Sequence, residues 1–331
     1  MTHQPRPQDR PQDRPQDRPQ DLAQDSTPDR NQDSHQDRSK IALAALNGAD
    51  RHAFCAALEG VFEDAPWVAE QASPGRPFAT VGDLHAAMMA AVSAAGAEEQ
   101  LAFLRGHPEL GGARVQQGDV AEASRREQGA LGLDRLGEEE MARFERLNAA
   151  YRARFGFPFI LCARRHSRAS MIANFERRLG NAPAAELAAA LAEIGLITRL
   201  RLVERVEGPG KPKTDGELST HVLDLLSGRP AGGLSIFLSA CEGSASYPLA
   251  ATATNAQGRT DRPLLCGAPL RIGTYEIAFH VGAYFAAGGA PTSNPAYLDV
   301  VPIRFAIAEP EAHYHVPLLV SPWSYTTYRG S

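Results

Sequence analysis

The residues of this chain best suited to chemistry fall into two sets, one in each half. The carboxyl-terminal set is His221 within Leu218-Ser-Thr-His-Val-Leu-Asp224, the charged loop Gly258-Arg-Thr-Asp261, and His315 with the closing Tyr328-Arg-Gly-Ser331. Imidazole exchanges a proton near neutral pH, and guanidinium offers donors to an oxygen that gains charge. The amino-terminal set is His107 in Gly106-His-Pro-Glu-Leu110, the run Ser124-Arg-Arg-Glu-Gln128, and Phe155-Gly-Phe-Pro-Phe-Ile-Leu-Cys-Ala-Arg164. Pro108 keeps His107 in a loop. Ser124, Glu127 and Gln128 stand at i, i+3 and i+4 and share one helix face. The run from Phe157 to Ala163 is too apolar for a surface loop and too short for a helix, so its backbone could line a pocket. Each feature alone has an ordinary explanation: Ser-X-X-Glu is a capping-box pattern, and His-Pro is a common loop dipeptide. His313 shares a strand face with His315, and such a pair could be part of a metal site. No carboxylate or third ligand falls at a telling spacing, so neither metal nor cofactor is expected.

These residues need elements to hold them. A length of 331 residues favours two domains, and 43% hydrophobic with 22% charged residues is globular composition. No apolar run approaches a membrane span, and the start is too polar for a signal peptide. Cys55, Cys162, Cys241 and Cys266 lie far apart, which argues for a reducing compartment. The closing Arg-Gly-Ser is not a peroxisomal tripeptide. A cytoplasmic protein is the expectation. The net charge of −5 offers no basic patch for nucleic acid, so small molecules and copies of the chain itself are the expected partners.

Residues 1–40 repeat Pro-Gln-Asp-Arg and then decay, with almost no apolar side chains; they are expected to be a disordered tail. Residues 41–206 read as all-helical. Helices are expected from about Asp50 to Gly60, over Leu84–Val92 behind a Thr80/Asp83 capping box, and over Glu98–Arg105 with a left-handed stop at Gly106. In Glu138–Phe155 the apolar residues recur at three and four. Met171, Ile172, Phe175 and Leu179 repeat this, and a last helix runs from about Ala184 to Val206. Residues 207–217 read as a flexible Gly/Pro linker. Residues 218–331 alternate in short runs, Leu234–Leu238, Gly273–Val281, Val300–Ile307, Tyr314–Val320 and Ser324–Tyr328, which indicates an all-β sandwich.

The blocks around His221, Arg259, His315 and the terminal Tyr-Arg-Gly-Ser resemble the 5-hydroxyisourate hydrolase branch of the transthyretin-like family, from about Leu218 to Ser331. The resemblance implies a transthyretin-like sandwich with His221, Arg259, His315 and Ser331 as the catalytic set and Tyr328 and Arg329 beside them. It also implies a homo-oligomer, a tetramer, built through the β-domain. Which histidine is the base stays open.

Gly106-His-Pro-Glu-Leu110, Ser124 to Gln128, the apolar run before Arg164, Pro66-Trp67 and Arg199-Leu-Arg-Leu202 resemble the 2-oxo-4-hydroxy-4-carboxy-5-ureidoimidazoline (OHCU) decarboxylase family, over about Ile41 to Val206. That resemblance implies His107 and Glu127 as catalytic residues. Substrate contacts would come from Pro108, Ser124, Arg125, Arg126, Gln128, Phe159, Ile160, Leu161, Cys162, Ala163 and Arg201. The two implied reactions are consecutive: the first opens 5-hydroxyisourate, and the second decarboxylates the resulting OHCU to S-allantoin. The alternative is that only one domain is active and the other is a binding or assembly module, such as a transthyretin-like carrier.

Overall fold

A computed structural model describes residues 40–112, 122–129, 131–133 and 136–330. The expected tail, except for Lys40, and Ser331 lie outside the described residues.

The first half is helical, and its caps follow local chemistry. The helices are α1 (Leu43–Gly48), α2 (Arg51–Ala57), α3 (Pro66–Ala72), α4 (Val81–Ala94), α5 (Ala97–Arg105), α6 (Glu122–Gly129), α7 (Glu138–Phe155), α8 (Arg168–Arg178) and α9 (Pro183–Arg205). Asp50 caps α2 by accepting from the Ala53 amide at 2.8 Å. Thr80 and Asp83 form the reciprocal capping box of α4, at 2.9 and 3.0 Å. Helix α7 carries three glutamates in its first turn, two arginines in its last, and Gly156 at φ +76° as a left-handed stop.

The expected left-handed stop at Gly106 is not present: its φ is −68°. The chain instead tightens by one more right-handed turn, with the His107 amide bonded to the Leu104 carbonyl at 3.2 Å. That turn places the His107 ring edge-on against Phe103, 4.9 Å between centroids.

The stripe read in Glu138–Phe155 packs with Phe144 and Tyr151 wholly buried. Tyr151 meets Phe159 and Phe175 edge-on. Behind Phe159 lies a buried ion pair, Arg178 and Glu186, with Arg178 Nε donating to Glu186 Oε1 at 2.8 Å. Tyr151 also donates to Glu186. Arg178 donates a further hydrogen bond to the Ile160 carbonyl at 2.8 Å, and its guanidinium lies 4.6 Å from the Phe159 centroid. Breaking a buried pair leaves an uncompensated charge, and here the bond to Ile160 ties the pair to the apolar run Phe157 to Ala163 from behind.

Two short strands, β1 (Ile41–Ala42) and β2 (Val206–Glu207), pair in parallel and bring the ends of the helical half together. The segment read as a flexible linker is tied down at its start. The Val81 amide donates to the Pro209 carbonyl at 2.9 Å and the Gly82 amide to Gly210 at 3.2 Å.

The second half is a sandwich of two four-stranded sheets. One has the order β10 (Tyr325–Thr327), β9 (His313–Val320), β3 (Glu217–Asp224), β4 (Arg229–Pro230). The other has β6 (Ala245–Ala253), β5 (Ser235–Glu242), β7 (Gly273–His280), β8 (Val300–Ile307). Leu218, Val222, Ile236, Leu238, Ile277, Phe279 and Leu318 fill the space between them. A helix, α10 (Val281–Ala287), follows β7. Strand β6 was not anticipated, and the physical reason is its exposure: nearly every residue on both of its faces meets solvent, so no apolar alternation marks it. The two halves touch where the Ser167 amide donates to the Ile272 carbonyl at 3.0 Å and the Ile272 amide to Arg165 at 2.8 Å. Glu311 pairs with Arg165 and, at 2.9 Å, with Arg199.

Candidate active sites

The helical half holds a cleft lined by His107, Pro108, Ser124, Glu127, Gln128 and Arg201, with Phe159, Ile160, Leu161 and Ala163 as one wall. Its loop wall is fixed by two hydrogen bonds: Asn148 Nδ2 donates to the Leu110 carbonyl and the Gly111 amide donates to Gln128 Oε1, both at 3.0 Å. Gly111 is needed there. Its φ is +61°, and a Cβ would come 3.1 Å from Leu136.

His107 Nδ1 is 3.1 Å from the Phe103 carbonyl. A carbonyl only accepts, so Nδ1 carries the proton and Nε2 is the free nitrogen. Burial lowers the pKa of His107, opposed by the Phe103 hydrogen bond and the Glu63 carboxylate. The ring is therefore neutral at pH 7.

Glu127 and Arg201 form a two-point pair. Arg201 Nε reaches Glu127 Oε1 at 3.0 Å and the terminal nitrogen reaches Oε2 at 2.7 Å. The same terminal nitrogen donates to Ser124 Oγ at 3.2 Å and faces Glu63 Oε2 at 3.4 Å. The Ser124 hydroxyl donates to Glu63. Glu63, Ser124, Glu127, Gln128 and Arg201 are all buried.

In the β-half the relevant groups stand on the outward face of one sheet. Strands β3 and β9 run parallel with Ser219 opposite His315 and His221 opposite Pro317. Inward-facing Leu218, Thr220, Val222, Tyr314 and Val316 are buried, so Ser219, His221, His313 and His315 point the other way. Ser219 Oγ joins the two outward imidazoles of β9, His313 Nε2 at 2.8 Å and His315 Nδ1 at 3.0 Å. That leaves His315 Nε2 free. His221 is bonded to the Gln257 carbonyl, and its Nε2 has no partner.

Two glycines bring the flanking segments close to these rings. Gly258 sits at φ +70°, and a Cβ there would lie 2.3 Å from the Val222 carbonyl. The loop is thus pressed onto β3, where Arg259 bridges to His221. The Gly330 amide donates to the His315 carbonyl at 2.9 Å, and a Cβ on Gly330 would come 2.6 Å from the His315 ring. Burial lowers the pKa of both His221 and His315, and Arg259 lowers both further. Both imidazoles are neutral at pH 7 and can accept a proton from water.

The family profile for OHCU decarboxylase matches residues 47–203, and that of the HIUase/Transthyretin family matches residues 218–330. The 5-hydroxyisourate hydrolase 2 of Rhizobium meliloti (strain 1021) is 53% identical over 116 residues, 35% of this chain and 97% of the relative. The 2-oxo-4-hydroxy-4-carboxy-5-ureidoimidazoline decarboxylase of Haloferax volcanii is 39% identical over 166 residues, 50% of this chain and 96% of the relative. The chain belongs to both families. A solved (S)-allantoin synthase is 33% identical, with 88% of this chain and 100% of that chain covered, at a TM-score of 0.49.

The decarboxylase-family domain brings together His107, Pro108, Ser124, Glu127, Gln128, Phe159, Ile160, Leu161, Ala163 and Arg201 around its cleft. It does not bring Arg125 and Arg126 there. Successive helical positions turn by about 100°, so a face that holds 124, 127 and 128 sends 125 and 126 outward. Both are exposed, and Arg126 pairs with Glu204 at 3.1 Å. Cys162 is buried, and its amide donates to Glu193 at 2.8 Å. Burial pushes its thiol up to about 12, so it is not a nucleophile. Glu63 was missed by the sequence reading. It stands three residues before Pro66 in Val-Phe-Glu-Asp-Ala-Pro-Trp, a place where a solvated turn carboxylate is the ordinary expectation.

The HIUase/transthyretin-family domain gathers His221, Arg259, His315 and the Gly330 backbone. Tyr328 is exposed, and Arg329 lies over the Tyr314 ring, 4.7 Å from its centroid. Ser331 lies outside the described residues. Among the described residues, no three His, Cys, Asp or Glu side chains converge as a metal site requires, and no helix is long and apolar enough to cross a membrane.

Proposed function

We propose that the chain is a bifunctional enzyme of urate catabolism that hydrolyses 5-hydroxyisourate and decarboxylates the OHCU formed. The observation that carries this reading is that two families of consecutive reactions meet in one chain, each domain with its own polar cluster.

In the hydrolase domain, His221 or His315 takes a proton from water, which attacks the cyclic amide carbonyl, and the C–N bond then breaks with protonation of the leaving nitrogen. Arg259 supports the oxygen that gains charge. By family resemblance Ser331 completes the catalytic set, with Tyr328 and Arg329 beside it.

In the decarboxylase domain, loss of carbon dioxide from a carboxylate leaves an electron pair on the ring carbon, delocalised into the adjacent C=N unit, and one proton is consumed. His107 starts as the neutral imidazole. An incoming anion favours the imidazolium, which then delivers its proton from Nε2 to one face of the carbon. Glu127 holds Arg201 by two hydrogen bonds, and its remaining lone pairs can accept from substrate N–H groups. The Phe159 to Ala163 wall confines the ring, and Gln128 and Ser124 orient it. The test is to add freshly generated 5-hydroxyisourate to the purified chain. Its ultraviolet absorbance is expected to decay far faster than without protein, and an unchanged decay would contradict the hydrolase assignment.

The β-domain is also proposed to form the core of a homo-oligomer, with the hydrolase sites at subunit contacts. What supports this is that the histidine face is an outward sheet surface rather than a pocket, and that Trp323, Tyr325 and Tyr328, in or next to the edge strand β10, are exposed at 53%, 45% and 60%. Light scattering of the full chain should give a multiple of 35.6 kDa. An active monomer would contradict the proposal.

A further inference from the structure

Beyond His107 and Glu127, the decarboxylase cleft contains a polar residue that the proposed mechanism leaves without a task. Glu63 is 7% exposed, lies in the turn between α2 and α3, and lines the cleft. The next residue, Asp64, has φ +52°, a left-handed turn conformation that aspartate adopts more readily than most side chains. That turn accompanies a carboxylate directed inward rather than to solvent.

What Glu63 touches defines the task. A serine hydroxyl has one hydrogen and two lone pairs. Ser124 gives its hydrogen to Glu63 Oε2, and one lone pair receives Arg201 at 3.2 Å. Toward the cleft, Ser124 can therefore only accept. Gln128, one turn along the same helix, is fixed the opposite way. Its Oε1 is taken by the Gly111 amide at 3.0 Å, so its Nε2 is left to donate. The two side chains together present one acceptor and one donor about a helical turn apart. That pair matches a ligand edge carrying an N–H and a C=O, the hydrogen-bonding edge of an amide or ureide.

We infer that Glu63 is a positioning residue: by holding the Ser124 hydrogen, it fixes this serine as an acceptor and makes the cleft select ligands that present a free ureide N–H. The inference rests on the reading of this cleft as the decarboxylase pocket. Without Glu63 the hydroxyl would rotate and could donate instead, and the cleft would accept an oxygen or a blocked nitrogen at the same place. Arg201 would still be held by Glu127, so the loss is one of discrimination rather than of the whole site.

The test compares binding of hydantoin, a cyclic ureide with free N–H groups, and 1,3-dimethylhydantoin to the full chain by titration calorimetry. The unmodified chain should prefer hydantoin by on the order of tenfold, the scale of one satisfied against one unsatisfied buried hydrogen bond. Glu63→Ala should reduce that preference to within about threefold, and Ser124→Ala should do the same with Glu63 intact. Glu63→Gln, whose amide oxygen can still accept the serine hydrogen, should keep most of it. The thermal transition of each variant reports whether it is folded. An unchanged preference in folded Glu63→Ala or Ser124→Ala would overturn the inference, as would a Glu63→Gln variant as indiscriminate as Glu63→Ala. No preference in the unmodified chain would overturn it too. The titration needs no turnover, so a chain that discriminates but fails to decarboxylate OHCU would sink the activity and leave this inference standing.

Discussion

His107→Ala is expected to lower decarboxylation of supplied OHCU by on the order of a hundredfold or more, while hydrolysis of 5-hydroxyisourate stays within about twofold. The His107 ring is the one cleft group with a free nitrogen that can both take up and release a proton near pH 7, because Nδ1 is committed to the Phe103 carbonyl. Glu127→Gln should be similarly damaging for a different reason. It replaces one of the two oxygens that hold Arg201 with an amide nitrogen that Arg201 cannot donate to, so the two-point grip is lost and the guanidinium keeps only one bond there beside those to Glu63 and Ser124. In both variants OHCU should accumulate and decay slowly to racemic allantoin. Absorbance follows the first step and chiral chromatography the product. Loss of hydrolysis in a folded His107→Ala protein would show that the two sites are not separate.

The converse variants act on the sheet face. His315→Ala and Arg259→Ala should each slow hydrolysis by on the order of a hundredfold, with decarboxylation of supplied OHCU unaffected. Gly330→Ala should fall in the same direction, since its new methyl would meet the His315 ring at 2.6 Å and something must move. The pH profile carries a further signature. Burial and Arg259 hold His221 and His315 below the ordinary imidazole value of 6.5. The base form therefore persists below pH 6.5, and kcat/KM for hydrolysis should stay level through neutral pH and drop only in more acidic solution. Arg259→Ala removes a positive charge from both rings, so the acid limb should move to higher pH. A limb that stays in place, or moves down, would contradict the electrostatic role of Arg259.

How much of this was legible in the sequence depends on which physical signal each part left. Helix α7 was readable because its stripe is long and its cap chemistry agrees with it. The Thr80/Asp83 box was readable because both partners lie in one short window. Strand β6 and helix α10 were not: the first has no buried face to impose alternation, and Val281-Gly-Ala-Tyr-Phe-Ala-Ala287 is too short for helical periodicity to separate it from the strand it follows. The site shows the same division. Positions 124, 127 and 128 are set by helical geometry alone, and that geometry also puts 125 and 126 outside. Glu63 meets Arg201 across 138 residues of sequence, a contact that only the packing of α3, α6 and α9 creates. The apolar run from Phe157 was recognisable as a wall, but the Arg178–Glu186 pair that holds it was not, because both residues would pass for surface charges on amphipathic helices.

With both sites intact, one chain carries its substrate through both steps under enzyme control. The most direct measurement is circular dichroism of the product formed when the full chain is given freshly generated 5-hydroxyisourate. Uncatalysed decay gives racemic allantoin and no lasting signal. Rapid appearance of the S-allantoin spectrum is expected, at a rate proportional to protein concentration. Rapid loss of 5-hydroxyisourate followed by slow, optically silent allantoin would contradict it.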